Sequence, residues 1–165
     1  MAQQKDTTNT AEIAELASVP AIGRIVAVDP GTKRVGIAIS DETQTLPRPL
    51  PRIERSSWKK LLERLKTIIE DFDAVAIVIG LPLESDGSES KMSIEARDIA
   101  RKLNLSLSLP VFLQGERVTS YEAKGRLWSQ GIDTVESRDL VDSEAAVIIL
   151  EDFLAELTAL RKSQN

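Results

Sequence analysis

The 165-residue chain contains no cysteine and no histidine. The first absence excludes disulfides and thiolate metal sites. The second removes imidazole bases, Ser-His-Asp triads and the usual zinc ligands. No segment approaches the ~18 apolar residues needed to span a bilayer; the run from Ala74 to Gly80 is too short and reads as a buried strand. The N-terminus lacks a basic region followed by an apolar stretch, so no secretory signal is visible. The expected location is the cytoplasm, with no membrane association. An excess of basic residues is missing as well: the net charge is −5 and the pI about 4.9. That argues weakly against nucleic-acid binding, although a global charge can conceal a local basic face. Chemistry must therefore run on carboxylates, hydroxyls, lysines, arginines or a bound hard cation.

What is present suits a single domain with a real core. The hydrophobic fraction is 42% and the charged fraction 28%, both ordinary for a soluble protein. Residues 1–22 are polar and small and read as a flexible tail, residues 23–160 as the domain, and residues 161–165 as a short C-terminal tail. Strands are predicted within Arg24 to Asp29, over Val35 to Ser40, where apolar residues alternate, and within Leu50 to Arg55. There Pro47, Pro49 and Pro51 imply an edge or a bulge. Ser56 or Ser57 caps a helix carrying Trp58, Leu61, Leu62, Leu65, Ile68 and Ile69 at helical spacing. Ala74 to Ile79 is a β-branched run typical of a strand buried on both faces. A helix over Ser90 to Leu103, a strand over Ser108 to Leu113, a helix over Val118 to Gln130 and a last helix over Arg138 to Leu160 complete the order. The pattern β-β-β-α-β-α-β-α-α predicts an α/β fold: a mixed sheet with helices on both faces.

Several constellations can carry chemistry. Asp29 sits where a strand runs into Pro30-Gly31, and strand ends are where sites form in open α/β sheets. A carboxylate there can hold a divalent cation while Gly31 permits close backbone approach; a plain Asp-Pro-Gly turn explains the same residues equally well. The loop from Gly80 to Ser90 is rich in glycine and hydroxyls, but Ser88 or Ser90 suffices to cap the next helix. Glu116 is predicted between a strand end and a helix, with Arg117 beside it to bind a phosphate or orient it; the helix dipole alone also favours an acid there. Asp142 shares a helical face with Ala145, Ala146, Ile149 and Phe153, where a carboxylate is costly unless paired or metal-bound; a carboxylate near the helix start facing solvent at the rim is the other reading. Close carboxylates repel, so three acids from three elements suit a shared cation. Two Mg²⁺ or Mn²⁺ ions about 4 Å apart serve phosphodiester cleavage, and carboxylates suit such hard ions. Arg48, Arg52, Arg55, Lys59, Lys60 and Arg64 surround the third strand and first helix, where they can track a phosphate backbone or simply form a solvated face.

Four segments, DPGTKRVGIAISD, GLPLESDGSES, ERVTSYEA and VDSEAAVIIL, occur in the order and approximate spacing of the YqgF-type family, which the chain resembles over about residues 23–157. That family is similar to Holliday junction resolvases and is assigned to pre-16S rRNA cleavage. The resemblance implies a ribonuclease H-like fold, a cytoplasmic bacterial protein, processing of the 16S rRNA 5′ end and an acidic site for Mg²⁺ or Mn²⁺. It makes Asp29, Glu116 and Asp142 the catalytic metal ligands, and Lys33, Arg34 and Arg117 the phosphate-binding cations. The implied partner is structured RNA, with DNA junctions the second substrate class; the motifs fit a monomer and a homodimer alike. One departure stands out: the family usually reads Asp-Glu-Arg where this chain reads Gly115-Glu116-Arg117. If the missing acid is a ligand, the chain is a non-catalytic RNA-binding assembly factor; if Glu116 carries the role, activity survives. A third reading rests on Asp-x-Gly-Thr, which also opens actin-like ATPases, but those need a second lobe and a longer chain.

Overall fold

The computed structural model describes residues 15–116 and 135–165, with side chains in the last helix from Ser143 onward. A short 3₁₀ turn at Leu16–Ser18 leads into strands β1 (Arg24–Pro30), β2 (Arg34–Ser40) and β3 (Pro47–Glu54). Helix α1 (Trp58–Phe72), strand β4 (Ala74–Pro82), helix α2 (Lys91–Ser106) and strand β5 (Val111–Glu116) follow, and α3 (Val135–Ser163) ends the fold. The predicted helix over Val118 to Gln130 lies outside the described residues.

The five strands form one sheet in the order β3-β2-β1-β4-β5. β1 and β3 flank β2 antiparallel, whereas β4 runs parallel to both β1 and β5. The cause is in the connections: short turns join the first three strands, and helices return the chain for β4 and β5. This is the mixed sheet with helices on both faces that the sequence predicts for a ribonuclease H-like chain.

Side-chain alternation sorts the core into two layers. Val26, Val28, Ile37, Ile39, Ile77 and Ile79 pack beneath α1 and α2. Ile25, Ala27, Ala38, Ala76, Val78 and Phe112 face α3. The α3 side is built of smaller residues, so that helix lies close to the sheet. Its Ala146, Ile149, Leu150 and Phe153 are buried there, and the rings of Phe112 and Phe153 meet at 5.2 Å.

Local chemistry sets the boundaries. Ser57 caps α1, its side chain accepting from Lys60 N–H at 3.2 Å, and Asp73 closes that helix in the left-handed conformation at φ 50°. Ser93 Oγ accepts from Ser90 N–H at 2.9 Å and donates to the Pro82 carbonyl, stitching α2 to the end of β4. The third strand begins earlier than predicted, at Pro47, and is the sheet edge, as its prolines imply. β5 begins and ends later than predicted, because its ladder with β4 runs from Ile77–Val111 out to Pro82–Glu116. Glu116 is therefore the last strand residue rather than a loop residue. Both ends of the body reach past the expected tails: Val19 is buried against α3, and α3 continues to Ser163. They meet where Arg161 donates to the Pro20 carbonyl at 3.2 Å.

Candidate active site

Asp29 is the penultimate residue of β1 and half-buried. Alternation puts it on the α3 side with Ile25 and Ala27. Its partner across β2 is Gly36, and the β1–β4 register, which pairs Val28 with Ile79, brings Gly80 level with it on the other side. Asp29 thus stands between two glycines. A Cβ on Gly80 would lie 2.3 Å from Ile149 Cδ1 of α3, so a side chain there would require the end of Ile149 to move.

Glu116 falls on the same face as Phe112 and Gln114, is only 9% exposed, and ends β5 opposite Pro82. Gln114, one pleat earlier, donates to Glu156 of α3 at 3.2 Å. Asp29 and Glu116 therefore share the α3-facing side of the sheet at the C-terminal ends of two parallel strands. β4 separates them, a lateral distance of roughly 10 Å between backbones, with Glu116 two residues farther out along the strand direction.

Asp142 lies in α3, one residue before Ser143. β3 carries an extra residue between the Val35–Ile53 and Ile37–Leu50 pairs, a bulge over Pro51-Arg52. Ser143 Oγ fills that interruption, accepting from Ile37 N–H at 3.2 Å and donating to the Leu50 carbonyl. The serine pins the first half of α3 onto β2 and β3. Among the described side chains no three acids group closely enough to hold a metal; the side chain of Asp142 is outside that set, and so is all of Arg117.

The turn after Asp29 is held from outside. A Cβ on Gly31 would meet the Arg34 carbonyl at 2.2 Å, so only glycine fits this turn. Arg55, following β3, donates its backbone N–H to the Lys33 carbonyl at 2.9 Å and Nη1 to the Gly31 carbonyl at 2.8 Å, while Nη2 pairs with Glu95 of α2. Lys33 and Arg34 are exposed on this clamped turn, at the Asp29 end of the sheet. The sequence singled out neither Arg55 as a clamp nor Ser143 as a pin. The available signal for Ser143 was a hydroxyl beside Asp142 at the start of an apolar run.

Gly115, the departure from the Asp-Glu-Arg pattern, is the next-to-last residue of β5. It alternates with Glu116, so a side chain there points to the opposite face, toward Leu83, whose Cδ1 would lie 3.2 Å from an added Cβ. The missing acid removes nothing from the face that carries Asp29 and Glu116.

A family model described as RuvX, Holliday junction resolvase, matches residues 23–156. The chain belongs to that family. Proteins named as pre-16S rRNA nucleases match this RuvX-family chain closely. One from Maridesulfovibrio salexigens is 38% identical over 132 residues, covering 80% of the chain and 98% of the relative. One from Methylocella silvestris is 36% identical over 151 residues, covering 89% and 94%. Among solved structures, Thermus thermophilus RuvC with a Holliday junction substrate aligns at 14% identity and TM-score 0.47, covering 81% of the chain and 96% of that protein. Membership makes the chain a hydrolase of phosphodiester bonds.

Proposed function

We propose that this RuvX-family member cleaves structured RNA at the 5′ end of pre-16S rRNA, with Mg²⁺ or Mn²⁺ held by Asp29, Glu116 and Asp142. The observation that carries the reading is the shared placement of Asp29 and Glu116 on one face, at the C-terminal ends of two parallel strands that flank β4, with α3 laid across it. The donor set fits the ions: it offers carboxylate oxygens and no nitrogen or sulfur ligand, the preference of hard divalent cations. Burial of Glu116 fits as well, because a carboxylate taken out of water gains from a cation partner.

When bound, such ions supply a water nucleophile at neutral pH and charge stabilisation on the phosphate oxygens. The chain's own residues do the remaining work. Gly36 and Gly80, both buried, flank Asp29 without side chains of their own, and Ile149 of α3 packs over Gly80. Arg55 holds the turn carrying Lys33 and Arg34, whose cations, with Arg117, meet phosphate charge. Ser143 pins the first half of α3, the helix that carries Asp142.

The test is cleavage of a precursor 16S rRNA fragment and of a four-way DNA junction by wild type and by Asp29→Asn. The expected result is cut RNA, with a loss on the order of 10³-fold in Asp29→Asn. Equal cutting by both proteins overturns the site; cutting of the junction alone overturns the substrate.

A further inference from the structure

β3 is antiparallel to β2 and β2 to β1, so the C-terminal end of β3 lies at the same end of the sheet as Asp29: Glu54 pairs with Arg34, and Val35 with Pro30. α1 starts immediately afterwards. Between this free edge and α1 lies an open groove of about 620 Å³, lined by Arg52, Ser56, Lys60, Arg64 and Thr67, with the acids Glu54 and Glu63 also on its wall. Arg52 pairs with Glu54 at 3.3 Å. Lys60 and Arg64 are exposed one turn apart, and among the described residues neither makes an ion pair. Helix stability does not account for the lysines. The first turn of α1 contains no acid; Lys59 and Lys60 occupy it instead, where the helix dipole disfavours cations. In a chain of net charge −5, cations gathered against the dipole at the active-site end point to an anionic partner.

We propose that this groove binds the sugar-phosphate backbone of the nucleic-acid substrate, away from the cleaved bond. Lys60 and Arg64 contact successive phosphates, while Ser56 and Thr67 offer hydroxyls to the same strand. The proposal rests on the nuclease reading for its substrate class. A polyanion path from the Asp29 turn to the β3 edge runs over the exposed Lys33 and Arg34, with Arg34 the ladder partner of Glu54 at that edge. It supplies affinity without sequence preference, since phosphate contacts position rather than specify.

The experiment measures binding by fluorescence anisotropy from 50 to 200 mM salt in the full chain carrying Asp29→Asn. The probes are a labelled RNA hairpin with single-stranded flanks and a four-way DNA junction. Each phosphate contact contributes about 0.7–0.9 to the slope of log K against log salt. Adding Lys60→Gln with Arg64→Gln is expected to reduce the slope by about 1.5 and to weaken binding at least tenfold at the lowest salt. Lys162→Gln, at the far end of α3, is expected to leave the slope unchanged. In the otherwise wild-type chain, the double variant raises KM for cleavage and keeps kcat. An unchanged slope, an equal change in Lys162→Gln, or no binding of either probe overturns the groove. Because binding is read in the Asp29→Asn background, these results stand whether or not the wild type cuts, and failure of the nuclease reading shows separately as absent cleavage.

Discussion

The antiparallel and parallel halves of the sheet hold the candidate site in different ways. In the antiparallel half, each break in the ladder is repaired by a polar side chain reaching a backbone group. Ser143 bridges the β3 bulge, Arg55 clamps the β1–β2 turn, and Asp41 organises the β2–β3 turn. In the parallel half, the attachment is mainly close packing: Gly80 lets Ile149 settle onto β4 and Phe153 packs on Phe112, with one hydrogen bond from Gln114 to Glu156. α3 crosses from one half to the other. It is tethered by the Ser143 hydrogen bonds early in the helix, and farther along by close packing together with the Gln114–Glu156 hydrogen bond. Hydrogen bonds fix direction and register, whereas apolar contact fixes distance, and a site assembled from two strands and a crossing helix needs both.

The largest effect is expected from removing the tether. Ser143→Ala leaves the Ile37 N–H and the Leu50 carbonyl without the hydroxyl that joins them. Losing partners at two buried groups destabilises by about 2–4 kcal/mol, measurable as a lower denaturant midpoint at unchanged m-value. Cleavage should fall by more than the folded fraction explains. Ser143→Thr, which keeps the hydroxyl, should recover part of it. A loss below about 1 kcal/mol would mean the bulge closes on itself and the helix is held by packing alone.

Next comes the packing side. Gly80→Ala places a methyl group where Ile149 Cδ1 already sits, and overpacking of this kind costs about 1–3 kcal/mol. Ile149→Val removes the clashing carbon and by itself costs about 0.5–1.5 kcal/mol. In the double variant the two changes should offset, giving a coupling that a thermodynamic cycle reads directly. Simple additivity would show that α3 shifts bodily instead.

The same contrast explains what was legible in the sequence. Period-two alternation in Val35–Ser40, the β-branched run after Ala74 and the heptad-like spacing from Trp58 are local patterns, and each yields an element close to the one observed. Pro47, Pro49 and Pro51 announce an edge or a bulge because proline cannot donate to a ladder, and β3 is the edge and carries a bulge. Asp29 and Glu116 were visible as acids at strand ends. The β5 boundary was misplaced because only pairing with β4 extends that strand to Glu116. Arg55 and Ser143 were missed for a related reason. Each acts on backbone groups far away in sequence, Ser143 on Ile37 and Leu50, and no spacing in the chain encodes a contact of that kind. Gly115 could be judged only once alternation along β5 had a known phase.

A smaller effect should separate the turn at the far end of the antiparallel half from the site. Asp41 accepts from Leu46 N–H at 2.9 Å, from the Thr43 hydroxyl, and from Thr45 N–H at 2.8 Å and its hydroxyl at 3.0 Å. These bonds, led by the Leu46 amide, hold its carboxyl well below the usual carboxylate range. A folded-state pKa depressed below the unfolded value of about 3.9 gives stability that is complete above that value and is lost as pH falls beneath it. The gap in stability between wild type and Asp41→Asn should therefore be constant from pH 7 to 5 and narrow as pH drops toward 3. Cleavage at neutral pH should not change, since Asp41 and Asp29 lie at opposite ends of β2's pairings. A gap that persists at pH 3 would assign the effect to the threonines.

The smallest effect is expected at Gly115, and it bears most directly on catalysis. Gly115→Asp restores the family's Asp-Glu-Arg pattern, yet the new carboxylate faces Leu83 on the side of α1 and α2, where its Cβ meets Leu83 Cδ1 at 3.2 Å. That contact is relieved by a small movement of a leucine end, and the position is exposed. Stability should change by less than about 1 kcal/mol, and cleavage should stay within about twofold of wild type, a barrier change of about 0.4 kcal/mol. Glu116→Gln, one residue later on the opposite face, should lose activity as severely as Asp29→Asn while keeping its fold. If Gly115→Asp instead raised cleavage tenfold or more, the acid before Glu116 would be reaching around the strand end to the substrate. The two faces of β5 would then not divide structure from chemistry as the alternation along this strand requires.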